Sequence, residues 1–423
     1  MNLGFLGIQV ATGLQISNAS AIFESLGAST GQIPALWLGA PVAGLIVQPI
    51  VGNLSDKTWN RFGHRQPYFL GGAIFAAIAL ILMVQAAHLW IAVTLYWGLQ
   101  IALNISIAPA RPFVGDLLPP EQRTLGYSVQ SFCIGLGTIA ASALPWCLNW
   151  VFPVSEASGI PQAIRLAYYI GAGICLSATL WTFFTVQEPN PDDDDTPQPT
   201  LIESLRFIAQ SAVHMPLMMR KLGWSQFFTW LGIYSIFLYF PTAVAFDVLG
   251  APDRHSLAYA HGVEWAGICI AFYNFVCLIA SGLLPIVSRL WGRVLTHAVS
   301  LLCGAIGLIS LLSIHSRYPL LLAMIGIGIA WASALSIPYA LLFEDLPEGQ
   351  SGVYMGLFNA FVVFPQIVMS LGLGWLINSV LGCDRIVSLA LGGGCLGIAA
   401  LLMLRVPEAS AEGSKQVADG QTS

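Results

Sequence analysis

The chain has 423 residues, 56% of them hydrophobic and 9% charged, with a formal net charge of −5. A soluble domain carries about 25% charged residues, so this composition excludes one. Apolar runs recur at about 20 residues, the length that crosses a bilayer core of about 30 Å, and the expected class is an all-α polytopic membrane protein.

About twelve spans are predicted, with cores at 3–23, 33–53, 67–87, 89–117, 124–150, 165–187, 222–247, 262–288, 295–315, 318–342, 352–380 and 386–405. The first span starts at Leu3 with no basic segment before it and no small-residue cleavage site, and reads as a retained helix. It carries Gln15 and Asn18, and Glu24 falls at its far end, an interfacial position. After span two comes a polar loop, Gly52-Asn-Leu-Ser-Asp56-Lys57-Thr-Trp-Asn-Arg61-Phe-Gly-His64-Arg65. Asp56 can accept hydrogen bonds from basic groups or a helix N-terminus and so latch a gate. The competing reading of its basic residues is a topological anchor.

Span four places Gln100, Asn104 and Arg111 within about 40° of one helix face. An ionisable residue at that depth is expensive and marks a functional site. Asp116 falls about 160° away from Gln100 and reads as a surface carboxylate pairing with loop arginines such as Arg123. For Gln100 and Asn104 the alternative role is polar glue between helices. Between spans six and seven, residues 188–220 form a linker that includes the run Asp192–Asp195. Span seven offers Trp230, Tyr234 and, at its end, Asp247. Span eight offers Glu264, Tyr273 and Asn274, span ten Trp331, and span eleven Asn359 and Gln366, about 20° apart. Prolines at 109, 112, 241, 285, 338 and 365 interrupt spans and can kink them. The tail 407–423 is polar and is expected to be disordered.

Charge sidedness sets an orientation. With the N-terminus inside, the inner loops hold Lys57, Arg61, Arg65, Arg123, Arg206, Arg220, Lys221, Arg289, Arg293, Arg405 and Lys415, and the outer loops Arg165, Arg254, Arg317 and Arg385. Both termini are therefore expected to be cytoplasmic. The halves share traces of a repeat at an offset of 228 residues: Arg61 with Arg289, Arg65 with Arg293, Asp116 with Glu344, Leu118-Pro119 with Leu346-Pro347, and Gln122 with Gln350. Two six-helix bundles, 1–187 and 221–406, in parallel repeat are a transporter architecture with its site near mid-membrane. The eight cysteines show no metal-binding spacing and read as packing residues. No nucleophile–base pair, metal cluster or phosphate loop is present in the sequence, so no enzyme activity, cofactor or metal is expected, and no nucleic-acid partner.

The loop around Asp56 resembles the signature loop of the major facilitator superfamily. Gly39-Ala-Pro41-Val-Ala-Gly44, Gln122-Arg123-Thr124, Trp331-Ala-Ser-Ala-Leu-Ser-Ile-Pro338-Tyr339 and Asn359-(x5)-Pro365-Gln366 are similar to the sucrose/maltose symporter group and the wider glycoside–pentoside–hexuronide symporters. The resemblance implies import of a disaccharide by alternating access, coupled to protons, by a monomer in the cell (inner) membrane. It implies gating by Asp56, Arg61, Arg65, Asp116 and Arg123. Recognition of the glycoside would draw on aromatic faces and fixed amides, from Gln15, Asn18, Gln100, Asn104, Arg111, Trp230, Asn274, Trp331, Asn359 and Gln366. Family members usually carry a proton-carrying Asp eleven residues before the Arg of span four. Here that position is Gln100, which has no titratable proton. Coupling is then either moved, with Glu264 and next Asp247 as candidates, or lost, leaving a uniporter or a carrier using another cation such as sodium. A transport-dead sugar sensor is the remaining alternative.

Overall fold

The computed structural model describes the backbone at residues 2–57, 62–63, 65–117, 120–151, 160–186, 215, 217–344 and 351–407. Side chains are described there too, except at 49, 53, 56–57, 109–117, 120–128, 131, 343–344 and 351–357. Arg61, the Asp192–Asp195 run and the tail from 408 therefore lie outside the described residues, as do the side chains of Asp56, Arg111, Asp116 and Arg123.

Twelve long helices follow in order among the described residues: α1 (Asn2–Ser25), α2 (Gly39–Lys57), α3 (Gln66–Met83), α4 (Leu89–Leu117), α5 (Pro120–Val151), α6 (Gln162–Thr185), α7 (Leu217–Ala243), α8 (Leu257–Trp291), α9 (Arg293–Ser310), α10 (Leu320–Glu344), α11 (Ser351–Ser379) and α12 (Arg385–Met403). Successive helices are antiparallel. The end of the bundle where α1 starts and α12 finishes is called the terminal face here, and the opposite end the distal face. Two details escape the sequence pattern. The predicted span 33–53 is broken into a one-turn helix, Ile33–Leu36, and α2, with Trp37 between them. The end of α7 passes into a π-turn, Val244–Val248, which carries Asp247.

Among the described residues, eleven apolar segments are long enough to cross a membrane. The exception is α1, whose Gln9, Gln15, Ser17, Asn18, Ser20 and Glu24 lower its hydropathy. It needs no lipid-facing surface, because most of its residues are buried against neighbouring helices. Small residues permit that approach: a Cβ on Gly7 would lie 2.9 Å from Ala178 on α6, and one on Gly13 2.9 Å from Ala141 on α5. Side chains such as Phe75, Trp181 and Phe184 are exposed on the outer surface, as a lipid-facing helix requires.

Helices α1 to α6 pack on one another, with α1 against α5 and α6 and α4 against α2 and α3; α7 to α12 do the same, with α7 against α11 and α12 and α10 against α8 and α9. The two six-helix bundles meet where α5 packs on α8, α11 on α2 and the one-turn helix, and α1 on α7. The 228-residue offset lays α3 on α9 to within one residue, and α4 on α10 and α5 on α11 to within three. Local signals end the helices. Gly292, at φ +80°, turns α8 into α9 within one residue. Ser256 and Asp384 cap α8 and α12 by accepting from the backbone N–H of Tyr259 and Val387.

Candidate functional site

Gln15 on α1 and Gln100 on α4 each stand well inside their helices, Gln100 about 16 Å along α4 from its distal end. Gln15 donates from Nε2 to the Tyr96 hydroxyl at 3.2 Å, one turn before Gln100 on α4. One turn beyond, Asn104 donates to the Gln100 carbonyl at 2.8 Å and accepts from Gln48 Nε2 of α2 at 2.7 Å. These amides form one connected polar strip across α1, α4 and α2, with Gln15, Gln100 and Asn104 all buried. Among the described residues, Gln100 Nε2 has no partner. A buried donor left unpaired costs about 1–3 kcal/mol, which a ligand acceptor would relieve.

The second bundle supplies aromatic surface at similar depth. Trp331 on α10 is ringed by Trp230 and Phe237 of α7 and Tyr273 of α8, at centroid distances of 5.7, 5.8 and 6.5 Å. Trp230 is buried, and its Nε1 also lacks a partner among the described residues. Trp37 bridges the bundles. Its ring lies 5.8 Å from Tyr96 and 6.3 Å from Tyr234, its Nε1 donates to Ser20 Oγ, and its carbonyl accepts from the Tyr234 hydroxyl. Ser20 in turn donates to the Leu238 carbonyl at 2.7 Å, from α1 to α7.

Among the described residues, several hydrogen bonds and ion pairs join the bundles at the distal face. Arg385, first residue of α12, pairs with Glu24 of α1 at 3.3 Å and donates to Thr30 Oγ1 at 3.0 Å. Arg254 donates to the Glu24 carbonyl and Tyr259 to its carboxylate. At the other junction, Asn149 of α5 donates to Glu264 of α8 at 2.8 Å, with His261 3.4 Å from the same carboxylate oxygen. Backbones approach closely at both places. A Cβ on Gly374 of α11 would lie 2.2 Å from the Gly31 carbonyl, and one on Gly267 of α8 2.4 Å from the Ser142 carbonyl. Nearer the terminal face, a cavity of about 430 Å³ brings together Arg289 and Arg293, the repeat partners of Arg61 and Arg65.

The fold has counterparts among known proteins. The family model of the Major Facilitator Superfamily matches residues 1–368. The chain belongs to this superfamily. A sucrose transport protein of Arabidopsis thaliana is 25% identical over 462 aligned positions, covering 95% of this chain and 89% of that protein. The general alpha-glucoside permease of Schizosaccharomyces pombe is 21% identical over 68% of this chain and 55% of its own length. The solved structure of the nucleoside transporter NupG has a TM-score of 0.71 at 14% identity, covering 96% of this chain and 98% of its own. A D-xylose–proton symporter has a TM-score of 0.66 at 19% identity, covering 96% and 97%.

Within this superfamily member, Gln15, Gln100 and Asn104 come together as one strip, and Trp230 and Trp331 as one aromatic face. Asn18 and Asn274 are buried but turned back on their own helices, donating to Leu14 and Ile270 carbonyls. Asn359 and Gln366 are half-buried on α11. Arg65 is buried at the start of α3. Glu264 and Asp247 stand at two separate distal junctions. Glu24 stands at the distal end of α1, as its place in the span predicts, but it is buried there, 3% exposed, and paired with Arg385 from 361 residues away. Sequence reasoning also passed over Tyr96, Trp37, Thr30 and Asn149. The available signal was the placement of Glu24 and Arg385 at apolar-span ends on the same predicted side.

Proposed function

We propose that this protein is a secondary transporter of a disaccharide or related glycoside, working by alternating access. The observation that carries the reading is the pair of unpaired buried donors, Gln100 Nε2 and Trp230 Nε1, beside the amide strip and the Trp331 aromatic face. Sugar hydroxyls accept from such donors, and the apolar faces of pyranose rings stack on indole. The relatives named as sucrose transport proteins and an alpha-glucoside permease support the same substrate class. Arg111, Asn359 and Gln366 complete the recognition set in this reading, and Asp56, Arg61, Arg65, Asp116 and Arg123 gate the terminal face. With both termini cytoplasmic, the distal face is the external one.

Coupling is the point at which this chain departs from proton symport through α4. Gln100 supplies hydrogen bonds but no titratable proton, which favours either facilitated transport or coupling through a carboxylate elsewhere, with Glu264 first and Asp247 next. Proteoliposome uptake of labelled sucrose and maltose, with and without imposed pH and sodium gradients, tests both levels. Saturable uptake of either sugar supports the substrate class, and none for any glycoside overturns it. Uphill accumulation under a pH gradient that is lost in Glu264→Gln supports relocated proton coupling. Downhill equilibration alone supports facilitated transport.

A further inference from the structure

The distal junction at Arg385 is built asymmetrically. Four of its parts belong to the second bundle or its connections: Arg385, Asp247, Phe246 and Tyr259. Asp247 Oδ1 lies 4.0 Å from one guanidinium nitrogen, and the guanidinium sits 4.5 Å over the Phe246 ring. Both residues lie in the π-turn Val244–Val248, a helix irregularity that often marks a functional position. Phe246 is itself held against Tyr259, at a centroid distance of 4.9 Å. The remaining partners, Glu24 and Thr30, come from the first bundle.

We propose that Arg385 is the moving bolt of the distal gate: it is shared with Glu24 and Thr30 when that face is closed, and is retained by Asp247 and Phe246 when it opens. This rests on the alternating-access reading above. Separation of the bundles at the distal face carries Arg385, Arg254 and Tyr259 away from Glu24 together, because all three belong to the departing side. The cradle on α7 keeps the guanidinium compensated in the open state, so its charge is never left bare in a low-dielectric setting. Glu24 has no such substitute. It loses its ion pair with Arg385 and the hydroxyls of Tyr259 and Thr242 together, and meets distal water.

Charge states then bias the two conformations in opposite directions. The Glu24 carboxylate faces Arg385 and the hydroxyls of Tyr259 and Thr242, with Arg254 on its backbone carbonyl and Tyr239 close by; Asp247 shares Arg385, and the capping Asp384 adjoins it in sequence. Neutralising Glu24 removes a partner found only in the closed state and favours opening. Neutralising Asp247 removes the partner that persists in the open state and favours closure.

The experiment places one spin label near the distal end of each bundle in the full-length protein, in lipid nanodiscs, and measures inter-bundle distances at about pH 7.5. Glu24→Gln is expected to raise the open-to-closed ratio about tenfold, the size of one charge-assisted hydrogen bond. Asp247→Asn is expected to shift the ratio the other way. Glu24→Asp, which keeps the charge but shortens the reach, is expected to shift in the direction of Glu24→Gln by a smaller factor. Unchanged distances, or shifts of the same sign in Glu24→Gln and Asp247→Asn, would overturn the proposal. Binding of labelled sucrose and maltose to the same samples keeps the tests apart: loss of sugar binding in the wild type counts against the substrate reading, whereas the distances speak only to the gate.

Discussion

Gln100 combines two properties that pull on function differently. Its unpaired Nε2, beside Tyr96 and Gln15, suits a sugar acceptor, but an amide carries no proton. In Gln100→Asp, a carboxyl group enters the same buried strip, and a pH gradient is expected to drive sugar accumulation above that of the wild type, read by uptake in proteoliposomes. Unchanged accumulation would show that this position has no access to a proton path. Trp331 lies at the centre of its aromatic cluster. Trp331→Ala is expected to weaken sugar binding by about 1–2 kcal/mol, roughly 5–30-fold in Kd, with turnover less affected; equilibrium binding of labelled sugar measures it. His297 is fully buried, with its Nδ1 2.6 Å from Ser333 Oγ and its Nε2 unpartnered among the described residues. Ser333→Ala strips the ring of that contact and is expected to destabilise the protein by about 1–3 kcal/mol, seen as a lower Tm in detergent.

Helix crossings decide what the bundles can do as bodies. At the α5–α8 crossing the Ser142 carbonyl leaves no space for a Cβ on Gly267, and at the α11 crossing the Gly31 carbonyl leaves none on Gly374. Both contacts belong to the closed distal face. Gly267→Val and Gly374→Val are therefore expected to hold that face open, increasing distal accessibility to a thiol reagent at an introduced cysteine and slowing transport. Unaltered labelling in both variants would remove these crossings from the gate. The capping of α12 works on the same gate from a shorter range. Asp384 accepts from Val387 N–H at 2.9 Å and so fixes the start of the helix whose first residue is Arg385. Asp384→Ala is expected to cost about 1 kcal/mol in stability and to loosen the closed state.

At the scale of the whole molecule, the two bundles resemble a duplicated unit whose facing helices are not chemically equivalent. The first contributes an amide strip around Tyr96 and the second a cluster of aromatic rings around Trp331. A glycoside held between them would bind both bundles at once, which is how binding energy can bias a rocking equilibrium. If Asp56 latches the terminal face, Asp56→Asn is expected to slow turnover by more than it weakens sugar binding. Comparing exchange rate with equilibrium binding on the same preparation tests this, and equal losses in both would argue against a latch.

Membrane class, span number, the 228-residue repeat and the shared face of Gln100 and Asn104 were legible in the sequence. Each depends on local periodicity and on the requirement that a backbone in lipid satisfy its own hydrogen bonds. The pairing of Trp230 with Trp331 was half-legible: the residues stood out, but nothing local says that two rings 101 positions apart will meet at 5.7 Å. Glu24 shows the boundary most clearly. Hydropathy puts a carboxylate at a span end into water, and only the fold brings Arg385, Arg254 and Tyr259 around it. The break at Trp37 and the π-turn under Asp247 were likewise decided by packing between bundles. A sequence determines which segments must be helices in lipid, because that cost is paid residue by residue. Which charges are buried, and with whom, depends on partners contributed by distant helices, so only the tertiary structure decides it.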